Sequence, residues 1–339
     1  MTSMSASEKM AWMGGLLRSQ LLVKIPYPTC DLAGQTVIVT GSNTGLGLEA
    51  ARHVARLGAA KVILAVRTVS KGEAAAENIL KSCKISKSNI EVWQLDMSDT
   101  ASIRAFSDRA SKLKRLDAAI LNAGILTENW EILNSMESTI AVNAVGTTLL
   151  TTLLLPTLRQ SAAKTGLRGR LSIVGSDIMY MADTHELLTE GTIMEKINDQ
   201  AQSQMAQRYP LSKVLLFYSV QELARRAPLT DKSDVILSVM TPGACKSDIF
   251  RDDAGLIKRM VMGVMIGSMA RTTEVGGRTL VLSAVPDLTA EAHGRFLMDT
   301  KVAKNGNNVD SRAGHELAEK WNKELFAHLE KLSPGCTQL

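Results

Sequence analysis

The stretch Thr36-Val37-Ile38-Val39-Thr40-Gly41-Ser42-Asn43-Thr44-Gly45-Leu46-Gly47 reads as a short buried strand running into a glycine-rich turn. Residues 36–40 are all β-branched, and a helical pattern follows over 45–57. Gly41, Gly45 and Gly47 permit a tight turn and a close backbone approach to a pyrophosphate. The helix that follows offers free N–H groups and the positive end of its dipole. A glycine-rich turn can be purely structural. Its place after the first strand and before a helix favours the phosphate site.

Working outward, short apolar runs alternate with helical patterns. Strands are expected at 36–40, 61–66, 91–95, 117–121, 170–174, 234–240 and 295–298. Helices are expected near 45–57, 70–82, 99–113, 135–160, 209–227 and 273–285, with an amphipathic one at 314–332. The strands are almost continuously apolar, as when both faces are covered. Such alternation predicts an α/β fold: a single-domain, doubly wound parallel sheet of Rossmann type, about seven strands, with helices on both faces. Ligands of such sheets bind at the carboxyl ends of the strands.

Further motifs stand at those ends. Asn122-Ala123-Gly124 ends the fourth strand, Ser176 follows the fifth, Tyr209 and Lys213 form YxxxK, and Pro242-Gly243 follows the sixth. With the GxxxGxG spacing of 41–47, this set resembles the short-chain dehydrogenase/reductase family over about residues 34–300. The style of Ala65-Val66-Arg67 onward resembles the retinol-dehydrogenase-like branch. The N-terminal arm and the ending resemble fungal members linked to secondary metabolism.

Tyr209 and Lys213 are four apart and share a helix face. A nearby ammonium favours the phenolate, so Lys213 is expected to lower the tyrosine pKa from near 10. Tyr209 would donate a proton during carbonyl reduction and accept one during alcohol oxidation. The resemblance implies that Ser176 orients the substrate oxygen and that Lys213 holds the nicotinamide ribose and feeds a proton relay. It further implies that Asn143 holds a water linking Lys213 to solvent. For the cofactor it implies contacts from Gly41, Asn43, Thr44, Gly45, Leu46 and Gly47, from Asn122, Ala123 and Gly124, and from Tyr209, Lys213, Pro242, Gly243 and Ser247. Ser247 takes the place of a family threonine, and Ala244-Cys245-Lys246 before it is less typical. Asp96 stands where relatives contact the adenine, and could equally cap the following helix. Arg67 ends the second strand where an acid would bind the ribose of NAD. A guanidinium there suits the 2′-phosphate, so NADP(H) is the expected cofactor.

Composition narrows the rest. The chain has 339 residues, 45% hydrophobic and 22% charged, with a net charge of +5. That excludes disorder and collagen. Aromatics at 4% leave little for base stacking, so no nucleic-acid partner is expected. Four scattered cysteines and five scattered histidines imply no disulfide framework, no metal site and a reduced, cytoplasmic setting. Residues 138–158 carry no charge, but Asn143, Pro156 and several threonines favour a buried helix over a transmembrane segment. No GxSxG, HExxH or Walker lysine is present.

Roughly ninety residues exceed a minimal α/β unit. They are expected as an arm at 1–33, amphipathic in part, an insertion at about 180–208, a substrate-loop region at 244–271 and an extension at 301–339. The insertion carries Met179, Met181, Met194 and Met205, and the loop region Met260, Met262, Met265 and Met269. Methionine lines adaptable apolar pockets. One reading closes both segments over a bulky hydrophobic carbonyl or alcohol substrate. A second buries them as ordinary core helices. A third lays 255–270 on a membrane surface as a peripheral contact. The expected function is an NADPH-dependent ketoreductase tailoring a polyketide or polyketide–amino-acid product. Alternatives are a retinol, steroid or lipid alcohol dehydrogenase, a dehydratase or isomerase, or a non-redox NADP-binding protein. A monomer and a homodimer both fit the sequence.

Overall fold

β-branched runs covered on both faces become strands. The computed structural model describes residues 4–230, 234–246 and 269–339. Its strands are β1 (Thr36–Thr40), β2 (Lys61–Val66), β3 (Ile90–Gln94), β4 (Ala118–Leu121), β5 (Ile132–Leu133), β6 (Met136–Glu137), β7 (Gly169–Val174), β8 (Val235–Thr241), β9 (Arg295–Met298) and β10 (Lys301–Val302). Eight form one sheet in the order β10-β9-β8-β7-β4-β1-β2-β3. All its pairings are parallel except β9 with β10. The chain starts at β1, steps outward to β3, then returns to β4 and fills the other side. That reversal beside β1 leaves a crevice at the carboxyl ends of β1 and β4.

The helices are α1 (Ala6–Leu22), α2 (Gly45–Arg56), α3 (Val69–Cys83), α4 (Thr100–Ser111), α5 (Thr147–Thr165), α6 (Met205–Arg226), α7 (Thr273–Leu282) and α8 (Arg312–Leu332). They cover both faces of the sheet, over two separate apolar cores. Ile38, Ile63, Leu171 and Ile173 point into one, and Val37, Val39, Val62 and Leu64 into the other. The period-2 pleat makes that division.

Three elements depart from the sequence reading. The sheet gains an eighth, antiparallel strand, β10. It follows a two-residue turn, Asp299-Thr300, at φ 52° and 67°. Tight hairpin turns of this hand normally use glycine or asparagine, so the sequence carries no turn signal. The helix expected from 135 begins only at Ser138, because Ile132–Glu137 forms the β5–β6 hairpin instead. The helical run then extends from Ser138 to Thr165, and its apolar part is buried within the chain, as a core helix should be.

The arm and the extension also take defined places. Leu317, Trp321, Leu325 and Leu329 of α8 are fully buried. Trp321 Nε1 donates to the Leu215 carbonyl and Ser219 Oγ, both at 3.0 Å. The insertion folds back on α8. The Glu324 carboxylate accepts from the Ile193 and Met194 amides at 2.9 Å, and Lys320 Nζ donates to the carbonyl of Gly191 at 2.7 Å. Met179 is fully buried and Met194 packs on the same core. Of the readings of the insertion, burial as core is the one that holds at these two methionines. Residues 247–268, with Ser247, Met260, Met262 and Met265, lie outside the described residues.

Candidate active site

The glycine loop is shaped by its neighbours as well as by its own freedom. Gly41 and Gly45 adopt φ 64° and 57°, the left-handed region open to glycine. Gly47 is required for contact: a Cβ there would collide with the Gly41 carbonyl and lie 2.5 Å from Asn122 Nδ2. Asn122 Nδ2 donates to the Thr40 carbonyl at 3.0 Å, and the Ala123 amide donates to Thr40 Oγ1 at 2.9 Å. So Asn122-Ala123-Gly124 locks the turn from β4.

Above this turn lies a cleft of about 400 Å³, within the range of small-molecule and cofactor sites. Gly41, Asn43, Thr44, Gly45 and Leu46 form its floor at the start of α2. Arg67 and Asp96, from the ends of β2 and β3, and Asn122, Ala123 and Gly124 complete the expected wall. Arg67 is exposed there. Asp96 accepts from Ser98 N at 2.9 Å and Ser98 Oγ at 2.6 Å. It does not cap α4: Asp99 does, accepting from the Ala101 amide at 2.9 Å. Glu131 and Leu133 also line the cleft. They come from the hairpin region that the sequence pattern did not reveal.

Ser176, Tyr209 and Lys213 converge beside this cleft. Lys213 Nζ lies 5.5 Å from the centre of the Tyr209 ring, and the Ser176 side chain lies close enough to the phenol to oppose its rise in pKa. Lys213 is buried, and its Nζ donates to the Val174 carbonyl at 2.8 Å, at the end of β7. Gly124 leaves room between cleft and lysine: a Cβ on it would lie 3.7 Å from Lys213 Nζ and 3.1 Å from Asn143 Oδ1. Asn143 sits mid-way along Ala141–Gly146, a π-helical stretch ahead of α5, the kind of widened turn that often marks functional sites. Its Oδ1 accepts from Ile125 N at 2.9 Å, and its Nδ2 donates to the Ile125 carbonyl at 2.8 Å and Ser212 Oγ at 3.1 Å. The amide is therefore fixed next to the lysine without a direct bond to it.

The electrostatics differ from the expectation for Tyr209. Its phenol is pushed up, first by burial and then by the charge of Asp177, and the Ser176 side chain only partly opposes this. Burial lowers Lys213 to about 8. Desolvation outweighs mutual stabilisation in the free chain, because both groups are taken from water at once. Asp177 is itself raised by burial. Its Oδ1 accepts from Thr241 Oγ1 at 3.2 Å. Burial pushes Cys245 up to about 12, which makes it a packed thiol and no nucleophile.

The Pro242-Gly243 loop is held by residues that the motifs did not single out. Gly243 has φ 75°, and its amide donates to Thr241 Oγ1 at 3.1 Å. Arg271 is buried. Its Nη1 donates to the Pro242 carbonyl at 3.0 Å; its Nη2 donates to the Ser19 carbonyl at 2.9 Å and Asp299 Oδ1 at 2.7 Å. Ser19 Oγ also donates to Asp299, at 2.8 Å. With its amide oriented to satisfy both groups, Gln20 brackets Ala244, donating to its carbonyl at 3.1 Å and accepting from its N–H at 3.0 Å. Thus α1, the loop after β8 and the β9–β10 turn meet on one guanidinium.

Comparison with known proteins agrees with this geometry. Residues 35–178 match the family described as short chain dehydrogenase. The chain is 39% identical over 281 residues to the short chain dehydrogenase atnD of Emericella nidulans, covering 81% of this chain and 87% of that one. It is 37% identical over 328 residues to the short chain dehydrogenase/reductase dmxR8 of a Cryptosporiopsis species, covering 95% and 99%. Among solved structures, the 3-oxoacyl (acyl-carrier-protein) reductase of Agrobacterium tumefaciens with NADP bound superposes with a TM-score of 0.57 at 19% identity, over 79% of this chain and 93% of that one. Motif order, crevice and relatives agree, and the chain belongs to the short-chain dehydrogenase family of oxidoreductases.

Proposed function

We propose that this protein is an NADPH-dependent ketoreductase that converts a ketone on a bulky apolar substrate to an alcohol. The observation that carries the reading is the convergence of Ser176, Tyr209 and Lys213 on a cleft whose floor is the glycine turn. The cradle fits a dinucleotide: Gly47 must lack a side chain, and the start of α2 faces the cleft. Gly41–Gly47 and the α2 terminus would hold the pyrophosphate. Arg67, exposed on the cleft rim, would hold the 2′-phosphate through its planar fork. The NADP in the Agrobacterium reductase supports that choice.

A reduced nicotinamide, when bound, supplies the hydride that a carbonyl carbon accepts. Ser176 orients the carbonyl oxygen by hydrogen bonding. Tyr209 donates its proton to that oxygen. The raised phenol pKa keeps this proton in place in the free chain, which suits reduction better than oxidation. Lys213, buried beside it, favours the phenolate as the proton leaves. The resemblance to fungal members and the fungal relatives support a tailoring role on a polyketide or polyketide–amino-acid product. The four free thiols support a reducing, cytoplasmic setting. α8 packs on α6 and the insertion packs on α8, which supports a monomer.

The test is NADPH consumption against a panel of bulky ketones. Wild type should turn over, and Tyr209→Phe should be slower by about 10²-fold or more. Arg67→Asp should move preference toward NADH. Equal rates for wild type and Tyr209→Phe would overturn the assigned chemistry.

A further inference from the structure

Helix α1 opens on a capping box: the Ser5 side chain accepts from the Glu8 amide, and Glu8 reaches back to the Ser5 amide. Its inner face is tied down along its length. Trp12 packs on the main core, Glu8 bonds Asn307, Ser19 joins Asp299 and Arg271, and Gln20 meets Ala244. The rotation of the helix is therefore fixed. The face turned away from the body is not polar. Met10, Met13, Leu17 and Leu21 are 72%, 49%, 37% and 59% exposed. At about 100° per residue these four fall within an arc of roughly 80°, opposite Glu8, Trp12 and Ser19, with Gln20 at its edge. Leu22, 75% exposed, lies apart from the row, about 100° further round at the helix end.

Large apolar side chains exposed singly need no explanation, but a contiguous row on one short helix does. Its charged neighbours are all cations. Lys9 and Arg18 project on the two sides of the row, and Lys24 follows its end. The acid of the helix, Glu8, is turned inward. A row of methionine and leucine between cations is the pattern of a helix lying in the plane of a lipid interface, where long cationic stems keep their heads at the phosphates. A second copy of the chain offers less: two such rows face to face would bring cations together, with no exposed acid on either helix to pair them.

We propose that the outer face of α1 docks this protein on an anionic lipid surface. Docked this way, the Pro242–Ala244 loop at the carboxyl end of the sheet lies just behind the helix. An apolar substrate dissolved in the bilayer would then be presented on the cofactor side; this last step rests on the ketoreductase reading, and the docking does not.

The experiment is flotation of the full chain with vesicles of phosphatidylcholine, alone or mixed with phosphatidylserine. Size-exclusion with light scattering runs in parallel, with thermal melting and NADPH binding as controls. Wild type should float with the mixed vesicles and not with phosphatidylcholine alone. Leu17→Ser and Leu21→Ser should each weaken binding by about tenfold or more, because each removes one buried leucine from the lipid contact. Lys9→Glu with Arg18→Glu should abolish the preference for phosphatidylserine. None of these should alter melting or NADPH binding. The proposal is overturned if the chain floats with neither vesicle, if flotation survives the leucine variants, or if the row instead mediates a dimer that those variants dissociate. Failure of NADPH binding in wild type would count against the cofactor reading alone.

Discussion

Lys213 links sequence spacing to measurable chemistry most directly. Its distance of four from Tyr209 was legible, because a helix places i and i+4 on one face. Its burial was not, because that depends on β7 and on Gly124 from β4. Burial favours the neutral amine and brings the pKa down to about 8. Below that value Lys213 is charged, and above it the charge is lost. The kcat/KM for reduction should therefore fall as pH rises through about 8, and a profile flat to about pH 10, near the ordinary lysine value, would contradict this. The same shift weakens folding below about pH 8, an effect that fades as pH climbs toward the ordinary value of 10.5. Tyr209 shows the opposite limit of sequence reading. The motif suggests a lowered phenol, yet burial and Asp177 raise it. A charge's neighbours in space decide the sign, and Asp177 is distant from Tyr209 in the chain.

At the scale of elements, β1, β2 and β9 have the bounds that their β-branched or apolar runs suggest. Burial on both faces leaves such runs nearly uninterrupted. The β5–β6 hairpin and β10 were illegible, being two-residue strands too short to show a pattern; of their turns only the one at Asn134 has a residue that favours positive φ. The same blindness hid Arg271, a lone arginine outside any motif. Its partners are Ser19, Pro242 and Asp299, drawn from three distant segments. Asp299 sits in a left-handed turn conformation, a local strain. Replacing Arg271 by Gln leaves the largely buried Asp299 carboxylate without its cation. That should cost about 3 kcal/mol of stability and weaken NADPH binding, while Arg271→Lys recovers part of both. Thermal melting and cofactor titration together check this. Weaker binding without restoration by lysine would argue against a charge-mediated role for Arg271.

Over the whole molecule, the surplus beyond a minimal reductase was legible as length but not as position. The insertion and the C-terminal extension fold on each other through Glu324 and Lys320, and α8 closes over α6 through Trp321. Methionine content alone could not tell pocket wall from core. The main core decides it for both Met179 and Met194, and α8 holds Met194 as well. Because Trp321 is fully buried and both its indole acceptors lie on α6, Trp321→Ala should lower stability by about 3–5 kcal/mol in a denaturant melt. A change under about 1 kcal/mol would mean that α8 is peripheral. The central claim concerns the reaction. With NADPH carrying deuterium at the hydride position and a bulky ketone that wild type consumes, mass spectrometry of the product should find the deuterium on the new carbinol carbon. Tyr209→Phe should make little such product. An alcohol formed without deuterium at that carbon would contradict the account.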